Sequence, residues 1–436
     1  MNESTYKQRR DRFQVMMKDG VAILGNARLQ TRSNDTEYPY RPNSDFYYLT
    51  GFEEDNAILL LSKKEGVYKS VLFVQTKVPE MELWTGARVG VDAAKTMFEV
   101  DEVYSSDTYE EHLKNLLAEH SLLYFDLFSD DAVYATLKNV TKEMLHMRAI
   151  TISPRTYSDV TKLTQEMRLI KSADEIALIK KALSITELAH HHAMKTCKPE
   201  MMEYALQSEY EYMFKKSGAY SDAYTTIIAG GNNANTLHYI NNDQTLQDGD
   251  LVLVDAGCEY GFYASDITRT YPVNGTFTPA QKELYEMVLE VQLKIIKAIK
   301  PNGSKKALQA LSERLLTEGM VALGILDGHV KTLMDDKAHK KYYPHGIGHW
   351  MGIDVHDPCP YSDENGEEIL FTSGMVLTIE PGIYLPKDDN DVPEKYRGIG
   401  IRIEDDILVT QDGCENLSCG IAKTVDEIEM MCQGKA

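Results

Sequence analysis

Two helices followed by antiparallel strands, in that order twice over, assign the larger part of this chain to the α+β class. Three observations carry the assignment. The first is a helix start. Ser172-Ala173-Asp174-Glu175 has the S-x-x-E spacing of a capping box, and Ile176, Ile179 and Leu183 follow at helical intervals. The second is element order. Helices expected at 173–197 and 200–216 precede strands running to 273, and helices at 279–299 and 304–322 precede strands running to 410. That order reads as an internally duplicated unit, although no residue-level repeat accompanies it. The third is length, because 436 residues exceed what one hydrophobic core ordinarily organises. The boundary is expected at Lys171, with an N-terminal domain over 1–171 and a second domain over 172–436.

The N-terminal part reads as mixed α/β, with short apolar strands at 57–61 and 70–74. The turn-rich segment 38–45 leads into Phe46-Tyr47-Tyr48-Leu49, whose aromatic character predicts a strand. No apolar run approaches the ~20 residues that span a bilayer, and the polar stretch 1–13 has no apolar core of a secretory signal. The net charge of -21 repels nucleic acid and anionic membrane surfaces. The six cysteines form no C-x-x-C pair, so reduced thiols in a cytoplasmic protein are expected rather than a disulfide framework or a thiolate zinc site.

Chemistry concentrates in the second domain. Leu251-Val252-Leu253-Val254 ends in Asp255-Ala256-Gly257, and a second run, 262–271, contains Asp266. A two-residue turn at Tyr260-Gly261 sets Asp255 opposite Asp266, with their Cβ atoms ~5 Å apart on one face. Two carboxylates so close repel unless a cation lies between them; the alternative is a different register with one aspartate facing water. Val376-Leu377-Thr378-Ile379 alternates up to Glu380 and stops at Pro381-Gly382, and a glutamate beside a buried strand calls for a partner or a metal. Ile399, Ile401 and Ile403 alternate with Gly400, Arg402 and Glu404, which puts Arg402 and Glu404 on one face. An ordinary surface ion pair is the alternative there. Between these strands lies His345-Gly346-Ile347-Gly348-His349, then His356. Pro344 and the glycines exclude a regular helix, so an irregular strand or loop is expected. Four carboxylates neutralise two divalent cations, and one histidine among them makes an oxygen-rich set that suits Mn²⁺. His190-His191-His192 falls on a helix, where successive side chains diverge, and is set aside. So is Gly230-Gly231-Asn232-Asn233, which lacks the rest of a phosphate-loop pattern.

The stretches 251–270 (LVLVDAGCEYGFYASDITRT), 345–357 (HGIGHWMGIDVHD), 378–384 (TIEPGIY) and 396–406 (YRGIGIRIEDD) together resemble the creatinase/methionine aminopeptidase family. The segments 37–52 and 83–90 extend the resemblance over nearly the whole chain, toward the members that act on peptides with proline second. The resemblance implies a "pita-bread" catalytic domain behind a creatinase-like N-terminal domain, and two metals, usually manganese, bridged by a hydroxide. It makes Asp255, Asp266, His349, Glu380 and Glu404 the ligands, with Glu380 also the general base and acid. It gives His238, His345 and His356 the substrate and the oxyanion, and Arg402 the orientation of the carboxylates. Tyr384 and Trp84 are weaker candidates, for which packing is the alternative. The implied activity is release of the N-terminal residue from Xaa-Pro-Yaa peptides by a homo-oligomer, dimer or tetramer. An Xaa-Pro dipeptidase and a non-catalytic peptide-binding relative are the alternatives.

Overall fold

A computed structural model describes residues 3–128, 131–147 and 152–435. The chain divides into two compact units, Met1–Met167 and Arg168–Ala436.

In the first unit, six strands form a mixed sheet in the order Glu102–Ser105, Val67–Val74, Ile58–Lys64, Gly20–Gly25, Leu122–Tyr124, Thr156–Ser158. Both strands expected from apolar runs are present, lengthened by the exposed ends of a hairpin that turns at Glu65-Gly66. The helices Tyr109–Leu117 and Asp131–His146 lay Leu113, Leu117, Val133, Leu137 and Val140 against Val21, Ile23, Leu60 and Phe73 of the sheet. The aromatic run predicted as a strand is instead the helix Ser44–Thr50. Its ends explain the difference: the Asn43 side chain accepts from the Phe46 N–H, and Gly51 at φ +68° closes the last turn on Tyr47. Phe46, Tyr47, Tyr48 and Leu49 are all buried. A strand with one solvated face has no use for four consecutive buried side chains, so local capping and burial override β propensity.

In the second unit the helix pairs Ala173–Thr196 with Glu203–Lys216, and Pro279–Ala298 with Lys305–Ala322, each precede a three-stranded antiparallel sheet. The capping box at Ser172 and Glu175 is formed in both directions. Ile179 and Leu183 are buried, and Ala182, Ile185, Ala189, Ala193 and Met194 enter a core that also takes Leu284, Val288 and Ile295. Each large aliphatic side chain so buried contributes roughly 1.5–3 kcal/mol. The first sheet orders Ile227–Gly230, Leu251–Asp255, Thr268–Pro272, and the second Val376–Ile379, Asp405–Val409, Cys414–Asn416.

The hairpin of the first sheet has a register other than the expected one. Its turn is Gly261-Phe262, both at positive φ, so that Tyr260 pairs with Tyr263 and Asp255 with Thr268. A two-residue turn of this kind needs positive φ at both central positions. Phe262 accepts the strain with its side chain buried and its ring 4.9 Å from that of Tyr220. Asp266 is therefore the diagonal neighbour of Asp255, on the same face. Near it the strands approach closely, and a Cβ on Gly257 would lie 1.9 Å from the Ser265 carbonyl oxygen. Among the described residues no helix is long and apolar enough to cross a membrane.

Candidate metal centre

A cavity of about 410 Å³ collects the expected residues: Asp255, Asp266, His349, Glu380, Glu404 and Arg402 line it with His238, His345 and His356. They arrive from both halves of the second unit. Asp255 and Asp266 come from the first hairpin. His349 lies on an irregular strand held beside Val376–Ile379 by Thr378 N–H to His349 O and Glu380 N–H to Ile347 O, both 2.9 Å. That strand needs Gly348, where a Cβ would meet the Thr378 carbonyl at 1.9 Å. Glu404 follows Ile399–Arg402 and is tied to the first half by Glu404 N–H to Thr268 O at 3.1 Å. As the alternation predicts, Ile401 and Ile403 face the core, while Arg402 and Glu404 face the cavity.

Asp266, His349 and Glu404 bring one ligand atom each within 4.8 Å of one another. Asp255 accepts Tyr224 O–H at 2.6 Å on one oxygen and Arg402 Nη2–H at 2.7 Å on the other. Arg402 also donates to Thr268 Oγ1 and to the Tyr384 hydroxyl, so it is a buried clamp rather than half of a surface pair. The hydroxyl of Thr268 donates to Glu404 at 2.7 Å.

These residues fit a divalent cation on three grounds. His349 donates Nδ1–H to the Trp350 carbonyl at 3.0 Å, which turns Nε2 toward Asp266 at 3.3 Å as the nitrogen that would give up its proton to face a cation. Ligating histidines are commonly oriented this way. The carboxylates also crowd without compensation. Burial, with mutual repulsion added, pushes Glu404 well above the usual range and Glu380 up to about 7, and it raises Asp255 despite Arg402. Burial opposes charge on Asp266 too, but His349 outweighs it and holds Asp266 low, while Asp266 holds His349 up at about 9. Two buried carboxylates, Asp266 and Glu404, and two half-buried ones, Asp255 and Glu380, beside one arginine and one histidine lack positive charge, and cations supply it. Finally, the donors are oxygens and one imidazole, the set preferred by harder divalent ions.

The outer residues divide by what their rings touch. Burial and the nearby Arg402 push His345 down to about 3, so it is neutral. Its Nδ1–H donates to the Gly346 carbonyl at 2.8 Å, and its Nε2 accepts from Tyr384 O–H, whose oxygen already receives Arg402. Both nitrogens of His345 are thus engaged, and Tyr384 is a link in a polar chain rather than simple packing. His356 stacks edge-on to His349 at 4.3 Å. The next residue, Asp357, is buried and bound by Arg168, by Lys171 at 2.8 Å and by the Cys359 thiol. Trp84 lies in the other unit, 84% exposed.

Several residues were not legible beforehand. Thr268 was within reach, since the correct hairpin register places it opposite Asp255. Tyr224, and Asp406, which accepts the Asp266 N–H at 3.0 Å, have no local signal. The residues set aside behave as expected. His190 bonds Ala256 and Tyr210, His191 accepts from Ala422, and His192 meets Glu209, three different directions. Gly231–Asn235 is a short 3-10 turn.

An α+β unit with two similar halves, meeting at a buried histidine–carboxylate cluster, defines a divalent-metal hydrolase. The model of metallopeptidase family M24 matches residues 177–411, and that of the aminopeptidase P N-terminal domain matches residues 6–124. The Xaa-Pro aminopeptidase of Haemophilus influenzae is 42% identical over 97% of this chain and 96% of its own. That of Escherichia coli is 41% identical over 99% and 98%. Among solved structures, Zn-substituted E. coli aminopeptidase P in complex with product superposes with a TM-score of 0.96 at 39% identity, covering 100% of this chain and 99% of that one. Proline aminopeptidase P II from Yersinia pestis gives 0.95 at 42%, covering 99% of each. The chain belongs to metallopeptidase family M24, joined to an aminopeptidase P N-terminal domain, and is a metal-dependent aminopeptidase.

Proposed function

We propose that this enzyme releases the N-terminal residue from peptides with proline second, using two divalent cations, most suitably Mn²⁺. The observation that carries the reading is likeness over the whole chain, both domains included, to proteins named Xaa-Pro aminopeptidase, together with the convergence of all five expected ligands on one cavity. Asp255, Asp266, His349, Glu380 and Glu404 hold the cations. When bound, they lower the pKa of water, polarise the scissile carbonyl and anchor the free amino end of the peptide.

The rest belongs to the chain. Glu380, whose carboxyl burial raises to about 7, takes the proton from the attacking water and passes it to the proline nitrogen as that bond breaks. His238 and His356 present imidazoles to the peptide and its developing oxyanion. His345, with both nitrogens engaged, acts through Tyr384 and Arg402 to keep Asp255 in place. Ile227, Leu237, Ile240 and Val355 give the cavity an apolar wall suited to the pyrrolidine ring. An oxygen-rich ligand set supports manganese. The exposed Met81, Leu83 and Trp84, on a helix with no buried residue, support a homo-oligomer, a dimer or tetramer, and the six free cysteines support a cytoplasmic location.

The test is hydrolysis of an Xaa-Pro-Yaa tripeptide against an Xaa-Pro dipeptide, both with Mn²⁺. Cleavage of the tripeptide between the first residue and proline is expected. Turnover of the dipeptide alone would make the enzyme a dipeptidase, and turnover of neither would overturn the proline specificity and favour the peptide-binding alternative.

A further inference from the structure

His238 stands on a segment without regular structure, between the turn Gly231–Asn235 and the bridge of Met202 with Thr245. Such a segment holds a side chain in place only if something pins its backbone. The pin is a buried carboxylate on another element. Glu203 opens the helix Glu203–Lys216 and is 0% exposed. One of its oxygens accepts the Gly230 N–H at 2.8 Å and Asn233 Nδ2–H at 2.9 Å; the other accepts Tyr239 O–H at 2.8 Å and the Gln244 N–H at 3.0 Å. Its own N–H donates to the Gln244 carbonyl at 2.9 Å. One side chain thus gathers the start, the middle and the end of the segment.

The middle contact decides orientation. Tyr239 packs against the cluster of Ile227, Ala229, Leu253 and Tyr384 and gives its hydroxyl to Glu203. Its neighbours on either side, His238 and Ile240, line the cavity. Tyr239 directly follows His238 in the chain, so anchoring the Tyr239 ring and hydroxyl fixes the backbone from which His238 reaches the cavity. Asn242 adds a second anchor, bonding the Ile228 N–H, the Thr226 carbonyl and Gln207. Gly230 leaves the space, since a Cβ there would meet Leu246 at 2.7 Å and the Glu203 carboxylate at 3.2 Å.

We propose that Glu203, acting through Tyr239, is a positioning residue for the reaction: it sets His238 against the peptide without touching it. This rests on the substrate role given to His238 above. The experiment compares Tyr239→Phe, Glu203→Gln and His238→Ala, and Tyr239→Phe combined with His238→Ala, as Mn²⁺-loaded full-length enzymes cleaving an Xaa-Pro-Yaa tripeptide. Tyr239→Phe keeps the packed ring and removes only the hydroxyl, with its 2.8 Å bond to Glu203 and a longer 3.4 Å contact with the exposed Asp243, so it folds even if Glu203→Gln does not. KM is expected to rise about tenfold in Tyr239→Phe, with kcat within about twofold and bound manganese unchanged. In the His238→Ala background the same change is expected to add nothing, because the residue it acts through is gone. Tyr239→Phe with wild-type KM, or a loss that multiplies with that of His238→Ala, overturns the proposal and leaves Glu203 a purely structural residue. A wild-type KM in His238→Ala alone also overturns it, but through the substrate role of His238, which separates the two failures.

Discussion

Arg402 meets three neighbours: Asp255, Thr268, which in turn bonds Glu404, and the Tyr384 hydroxyl, which bonds His345. A lysine in its place is a point charge with a tetrahedral head and cannot reproduce this planar fork. Arg402→Lys is therefore expected to lower both metal affinity and kcat/KM roughly 10- to 100-fold, the usual cost of losing a residue that orients ligands. Metal titration followed by light absorption or calorimetry reads the first effect and peptide hydrolysis the second; an unaltered metal titration would deny the arginine this role. The alternation of Ile399, Ile401 and Ile403 already placed Arg402 and Glu404 on one face. Their burial and the hydroxyls of Tyr224 and Thr268 depend on the opposite half of the unit, which no local pattern in 396–406 reveals.

At the level of elements, placement of the proposed ligands depends on two close backbone approaches. Gly257 stands beside the Ser265 carbonyl in the hairpin that carries both aspartates, and Gly348 stands beside the Thr378 carbonyl just before His349. Neither has positive φ, so each is glycine for want of space rather than for backbone freedom. Gly348→Ala is expected to push the irregular strand off its neighbour, lowering the melting temperature and depleting bound metal; a stable, metal-replete Gly348→Ala enzyme would show that the approach is dispensable. The strand hosting His349 was readable from Pro344 and its glycines, and the four long helices from periodicity and capping. The hairpin register was not, because it turns on Phe262 tolerating φ +63° through burial beside Tyr220, a tertiary effect. The helix Ser44–Thr50 was missed for a similar reason, since its aromatic residues favour a strand until Asn43 and Gly51 cap them. Asp357 illustrates the energetic side. It pairs two buried cations, so Asp357→Asn is expected to cost about 3–5 kcal/mol in unfolding free energy. Adding Lys171→Met, which removes one stranded cation, is expected to recover part of that loss in urea denaturation.

Across the whole molecule, the two units have separate cores, and every residue assigned to the metal centre lies in Arg168–Ala436. Within that unit, two of the proposed ligands come from the first half and three from the second, so cations held there would also hold the halves together. Calorimetry is expected to show the transition of this unit falling on chelation while that of Met1–Met167 stays in place. At a metal concentration about a hundred times the dissociation constant, the stabilisation is about 2.7 kcal/mol. Displacement of both transitions, or of neither, would argue against metal binding confined to this unit. The most direct measurement joins occupancy to chemistry: metal-stripped enzyme is titrated with Mn²⁺ while release of the first residue from an Xaa-Pro-Yaa tripeptide is followed. Turnover is predicted to be absent at the start, to rise with bound metal and saturate at two ions per chain, and to be lost in Asp266→Asn. Undiminished turnover by the stripped enzyme, or an Asp266→Asn variant that binds metal and cleaves like the wild type, would contradict the assignment of this cluster as the catalytic metal centre.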